Sequence, residues 1–148
     1  MPLTLRAATH EDSDFLYALR NEPSVRAMSR STAAITPDEH AAYLKKQLQR
    51  SPADYSCLFI AELDGVPIGT GRLDRGWDAL ALTMDSCLIG YSIVPIMRGR
   101  GFGTRLAAEL VARAKEIGYL RTMCRIRRTN LASIACAASA GVHVIELF

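Results

Sequence analysis

The 148-residue chain predicts an α/β fold with element order β-α-α-β-β-β-α-β-α-β. Strand-like runs alternate with segments whose apolar residues recur at helical spacing. One stretch, from Ser92 to Leu106, joins a strand end, the stop at Pro95, the glycines Gly99, Gly101 and Gly103, and the start of an amphipathic helix. Nearly half of the residues (49%) are apolar and 22% are charged, which fits one globular domain, residues 1–148, with its own core.

Leu3 to Ala7 reads as a first strand. Thr9, with Asp12 three residues later, opens a helix through Phe15, Leu16 and Leu19. Arg20-Asn21-Glu22-Pro23 interrupts it, and Ser24 to Met28 adds a turn. Thr36-Pro37-Asp38-Glu39 is a cleaner start, with a cap, a proline and an early acid; Ala41, Leu44 and Leu48 then follow up to Arg50. Tyr55 to Leu63 and Val66 to Leu73 form a hairpin about Asp64-Gly65. Gly69 and Gly71 in its second strand mark a bulge or a close backbone contact.

Gly76-Trp77-Asp78 is a loop, and the next strand spans Met84 to Val94. After the glycine loop, Leu106, Leu110, Val111, Ala114 and Ile117 share one helix face, and Gly118 closes the helix. Tyr119 to Arg127 is a strand with Thr122, Cys124 and Ile126 on one side. Asn130 caps a helix from Leu131 to Ala140, small-residue-rich all round and expected to be buried. Val142 to Leu147 is the last strand.

The net charge of +3 is too small to imply nucleic acid. Cys57, Cys87, Cys124 and Cys136 are scattered without a paired spacing, so reduced thiols are expected and no metal site. No leader pattern precedes Pro2 and no apolar run is long enough for a membrane helix; a cytoplasmic location is expected.

A strand–glycine loop–helix corner is an anion site: the glycines admit close approach, and the helix start offers unpaired N–H groups and the positive end of its dipole. Arg98 and Arg100 add charged donors. The spacing Gly99-x-Gly101-x-Gly103 does not match a dinucleotide fingerprint, and no lysine follows as a Walker loop requires. Arg98-x-x-Gly101-x-Gly103 after Ile93-Val94-Pro95 resembles the acetyl-CoA signature R/Q-x-x-G-x-G/A of the GCN5-related N-acetyltransferase (GNAT) family. The element order matches that family over nearly the whole chain.

The resemblance implies a mixed, mostly antiparallel sheet flanked by helices, and acetyl transfer from acetyl-CoA, without metal, to a primary amine of a small molecule. By resemblance Ser92, Ile93 and Val94 would meet the pantetheine and the acyl oxygen. Arg98, Gly99, Arg100, Gly101, Phe102, Gly103 and Thr104 would hold the pyrophosphate. A second family element, N-x-x-[AS]-x-x-x-Y-x-x-x-G-F, matches here at Asn130, Ser133 and Gly141 but has Ala137 in place of the tyrosine credited with protonating the leaving thiolate. Asn130 would contact the pantetheine arm or cap its helix.

The glutamates that family members use as bases correspond to Leu88 and Arg125. Asp74, Asp85 and Glu62 are the remaining carboxylates near a cleft, with Asp85 preferred as base, and Tyr91 is a further catalytic candidate as a water-relayed base, or else a packed aromatic. His10, His40 and His143 read as structural or exposed. Arg20, Asn21 and Arg26 are candidate substrate residues, on a diffuse similarity to acetyltransferases of nucleotide-linked amino sugars that also takes in Arg72 to Arg75. Arg121, Arg125, Arg127 and Arg128 would meet the CoA 3′-phosphate, an anionic substrate, or water.

Protein N-termini, polyamines and aminoglycosides also fit as acceptors, and a CoA-binding module without catalysis is the rival reading. Family members carry a further strand beyond the one ending at Leu147. A second subunit, as in a homodimer, or a more open substrate site is therefore expected at that edge.

Overall fold

The computed structural model describes residues 2–50, 57–75 and 86–148. Its core is one six-stranded sheet in the order β1-β2-β3-β4-β5-β6: β1 (Leu3–Ala7), β2 (Cys57–Leu63), β3 (Val66–Arg75), β4 (Ser86–Ile93), β5 (Arg121–Ile126) and β6 (His143–Leu147). The first four strands are antiparallel neighbours; β4–β5 and β5–β6 are parallel. The helices are α1 (Ser13–Asn21), α2 (Pro23–Met28), α3 (Pro37–Arg50), α4 (Phe102–Ile117) and α5 (Leu131–Ala140). This is the mixed α/β order read from the sequence, with one short helix added at α2. The expected loop at Gly76-Trp77-Asp78 and the residues Tyr55, Met84 and Asp85 lie outside the described residues.

The chain enters α1 through a 3₁₀ turn, His10–Asp12, capped by Thr9. Asp12 closes the capping box through Thr9 N (2.8 Å) and grips the Arg6 guanidinium with both oxygens (2.7 and 2.8 Å). That pairing holds the Asp12 carboxyl below its ordinary range. Glu22 caps α2 by accepting from Ser24 N and Val25 N, which turns the expected loose turn into a helix.

Two apolar faces follow from strand alternation. Leu58 and Ile60 of β2 pack with Ala8, Leu16 and Leu44 beneath α1 and α3. On the other face Phe59, Leu73, Cys87, Ile89 and Ile93 pack against Leu106, Leu110 and Ala114 of α4. Gly71 sits under Leu110: an added Cβ would come within 2.9 Å of it. At Gly69 an added Cβ would meet Ser92 O at 2.5 Å. Both glycines therefore mark close approach, and a bulge also falls beside Gly69: Ala61 pairs with Gly69 and Glu62 with Pro67, which leaves Ile68 as the extra residue of β3.

Helix α5 departs from the sequence expectation. Of its ten residues only Ala137 is buried. Its small side chains let it lie close to α4 along one side and leave the other side open.

Candidate active site

The site begins where the sheet splits. Pairing of β4 with β3 runs up to Gly69↔Ile93, but pairing of β4 with β5 ends at Leu88↔Met123. In an antiparallel ladder, successive residues send their N–H and C=O alternately to opposite neighbours. Val94 N bonds Ile68 O at 2.9 Å, so Val94, Ser92 and Gly90 face β3. Tyr91 and Ile93 therefore present their backbone groups to the gap. Of the segment Ser92 to Val94 singled out in the sequence, only Ile93 offers its amide there, joined by Tyr91. The carbonyl of Ile93 is occupied: Arg98 Nε donates to it at 3.0 Å.

Beyond Ile93 a 3₁₀ turn, Pro95–Met97, leads into the glycine loop. Gly99 (φ 74°) and Gly101 (φ 83°) occupy the left-handed region, where a side chain is strained. Gly101 is the N-cap of the 16-residue α4, and no side chain caps it. Its first helical bond runs from Arg105 N to Gly101 O (3.2 Å), so the amides of Phe102, Gly103 and Thr104 point outward unpaired within the helix. A fixed amide fan at a positive dipole end fits a pyrophosphate.

The arginines of the loop behave differently from each other. Arg98 turns back from the loop: besides Ile93 O it donates to Ser24 Oγ and stands 3.8 Å from Glu22. Arg100 is exposed. Phe102 packs against the core beneath Arg105, whose guanidinium lies 5.3 Å from the ring centroid.

The opposite lip is α5. Asn130 Oδ1 accepts from Ser133 N at 3.2 Å, capping the helix, and the residue lines the cleft. Tyr91 reaches across the gap, its hydroxyl 3.3 Å from Ser133 Oγ and 3.4 Å from Ser133 O. Burial pushes the Tyr91 phenol up to about 12, so at neutral pH it keeps its proton and the expected role as a water-relayed base does not fit it. Cys136 lies beside it, accepting from Thr104 Oγ1 at 3.3 Å. An added Cβ on Gly103 would approach its sulfur to 3.3 Å.

A cleft of about 1010 Å³ runs from this amide fan to the space between α1, α2 and α3. Arg20 and Arg26 line it, and Asn21 does not. Both ends of the Asn21 amide are used on Ile35: Nδ2 donates to its carbonyl (2.9 Å) and Oδ1 accepts from its amide (2.7 Å). Asn21 pins the segment before α3.

Three residues with no individual role in the sequence reading stand out here: Tyr43, Arg72 and Gly90, all in the cleft wall. Their signal lies in the register, since Leu58, Arg72 and Gly90 are aligned across β2, β3 and β4. Among the carboxylates, Asp74 pairs with Arg72 (2.8 Å) and Glu62 with Arg6 (3.1 Å). Arg125 pairs with Glu146 (3.3 Å), and Arg127 donates to Ser29 O (2.6 Å). No group of residues suited to a metal ion occurs among the described residues, and no helix among them is long and apolar enough to cross a membrane.

Comparison with known proteins places this geometry. A family model described as an acetyltransferase (GNAT) domain matches residues 2–143. Among solved structures, aminoglycoside acetyltransferase AAC(6')-Ib in complex with coenzyme A superposes with TM-score 0.79 at 24% identity, over 95% of this chain and 83% of that one. An N-acetyltransferase from Staphylococcus aureus Mu50 gives 0.77 at 20% identity, over 95% and 83% of the two chains. The ribosomal-protein-alanine N-acetyltransferase of Brucella melitensis gives 0.75 at 23% identity, over 93% and 83%. None of the curated proteins matches the chain in sequence.

Proposed function

The chain belongs to the GNAT acetyltransferase family, and we propose that it acetylates the primary amine of a small molecule, in its finer form an amino sugar carried on a nucleotide. It is an acetyl-CoA-dependent N-acetyltransferase. The observation that carries the site assignment is the opening of β4 from β5 directly beside the uncapped start of α4.

Acetyl-CoA, when bound, supplies an acyl carbon already activated by a thiol leaving group. The amides of Phe102, Gly103 and Thr104 would hold its pyrophosphate, and Asn130 would meet the pantetheine arm. Ile93 N–H is a fixed donor for the acyl oxygen, where negative charge grows as the amine attacks. The C–N bond forms and the C–S bond breaks. The Tyr91 hydroxyl, protonated at working pH and on the α5 side of the gap, delivers a proton toward the departing sulfur. That assigns Tyr91 the role left vacant at Ala137. The amine's own proton is assigned to Asp85.

Thermal shift with acetyl-CoA, followed by thiol release over a panel of amines, tests the reading. Stabilisation by acetyl-CoA with turnover of at least one small amine is expected. Stabilisation without turnover of any amine would leave a CoA-binding module.

A further inference from the structure

The cleft has two chemically different halves, divided by the sheet. Tyr91, the glycine loop and α5 lie on the α4 face. Arg72 shares its register with Leu58 on one side and Gly90 on the other, and Leu58 packs beneath α1 and α3. Arg72 therefore projects on the opposite face, at the wall an acceptor would reach without crossing the cofactor half.

The guanidinium of Arg72 lies across β4. A Cβ at Gly90 would stand 3.1 Å from its Nε and 3.3 Å from its Cζ, so the glycine is the bed it rests on. Asp74 takes Nε at 2.8 Å, and the Tyr43 hydroxyl is close enough to act on the same guanidinium electrostatically. Arg20 stacks on the Tyr43 ring at 4.6 Å, a contact that uses its flat face and leaves its in-plane N–H groups to other partners. The Arg72 side chain remains 46% exposed.

Cationic side chains outnumber carboxylates in the lining of the wider cleft, although Asp74, Glu22 and Glu146, outside that lining, pair with Arg72, Arg98 and Arg125. Among the described residues Arg20, Arg26, Arg72, Arg98, Arg125 and Arg127 line it, with Glu39 as the only carboxylate. A polycationic acceptor meets repulsion in this wall, whereas an oxyanion meets planar donors.

We propose that Arg72 and Arg20, organised around Tyr43, form an oxyanion subsite that selects acceptors carrying a carboxylate or a phosphate beside the reacting amine. The inference rests on the acetyl-transfer reading and adds the chemical class of the acceptor. The subsite anchors the acceptor and takes no part in bond making, so its loss acts on KM.

Two pairs of amines that differ in the anion test it: glucosamine 6-phosphate against glucosamine, and alanine against alaninamide. The wild type is expected to favour the anionic member of at least one pair by about tenfold or more in kcat/KM, the scale of one charge-assisted hydrogen bond. Which pair shows the preference separates phosphate from carboxylate. Arg72→Gln should erase it by raising the KM of the anionic amine well beyond that of its neutral counterpart, with the KM for acetyl-CoA little changed. Arg72→Lys should restore part of it.

Equal use of both members of both pairs, or an equal loss on both in Arg72→Gln, overturns the subsite. If no amine is turned over, the catalytic reading fails separately. Calorimetric titration of the same four amines into CoA-loaded protein then decides the subsite: tighter binding of an anionic amine, lost in Arg72→Gln, supports it, and equal binding overturns it.

Discussion

Replacing Arg98 with methionine distinguishes a strut from a phosphate ligand. In the structure one guanidinium ties three segments: the glycine loop that carries it, the end of β4 through Ile93 O at 3.0 Å, and the start of α2 through Ser24 Oγ. A hydrogen bond from a charged donor contributes about 1.5–3 kcal/mol. The side chain is 39% exposed, and solvent screening lowers the expected loss to about 1–2 kcal/mol.

Methionine keeps the apolar stem, so the change isolates the polar tie. At about 2–4 °C per kcal/mol for a chain of this size, the melting temperature should fall by about 2–8 °C. Circular dichroism melts of the free protein measure that fall, and calorimetry measures the affinity for acetyl-CoA. A lower Tm with affinity changed by less than about fivefold, well under 1.4 kcal/mol per decade, is the expected pair of results. An unchanged Tm with a hundredfold loss of affinity would refute the strut, because the guanidinium would then have to leave Ile93 and grip the cofactor.

At Gly101 an added Cβ meets no atom within 4 Å, yet φ is +83°, so Gly101→Val costs about 1–2 kcal/mol in backbone strain alone. Relief of that strain by a change in φ would re-aim the amides of Phe102 to Thr104, and loss of the acetyl-CoA titration signal in a protein that still melts cooperatively is the expected result. Tyr91→Phe removes two long hydrogen bonds of 3.3 and 3.4 Å and should change the melting temperature little, while kcat falls by about 10–100-fold if the hydroxyl protonates the leaving sulfur. Because burial raises the phenol to about 12, it stays protonated through the working range. The wild-type rate should then show no inflection from this group between about pH 6 and 10, and an inflection there that vanishes in Tyr91→Phe would contradict the assignment.

Much of the fold could be read from local chemistry. Thr9, Thr36 and Asn130 sit where they cap, and Gly118 and Gly141 end helices at positive φ as their type allows. The amide fan of α4 was equally legible, because glycine spacing and a helix start specify it without distant contacts. What escaped depends on partners far along the chain. Arg98 reads as a phosphate ligand beside its loop, and its contacts with Ser24 and Glu22, more than 70 residues earlier, are ones no local pattern announces. Helix α5 reads as buried because its residues are small, and smallness also serves close packing on one side only. Which of Ser92, Ile93 and Val94 offers an amide to the gap is a matter of register, set by the single bond from Val94 N to Ile68 O.

That register also lets a single added methyl group perturb the acceptor half alone. Odd-numbered residues of β4 serve the cofactor half through Tyr91 and Ile93, and even-numbered ones underlie the acceptor half through Gly90. Gly90→Ala would place a Cβ 3.1 Å from Arg72 Nε, tighter than ordinary contact. The atom it meets is the far end of a flexible side chain, so Arg72 yields and the fold loses little, by about 1 kcal/mol or less. The KM for an anionic acceptor should rise several-fold while acetyl-CoA binding is unmoved, since the methyl points away from α4 and α5.

Gly71→Ala is the control on the neighbouring strand. Its Cβ would meet Leu110 at 2.9 Å inside the core, so it should lower stability and leave the ratio between anionic and neutral amines untouched. Should Gly90→Ala weaken acetyl-CoA as much as the acceptor, the two halves are not separated by the sheet, and the division of labour drawn from strand parity is wrong.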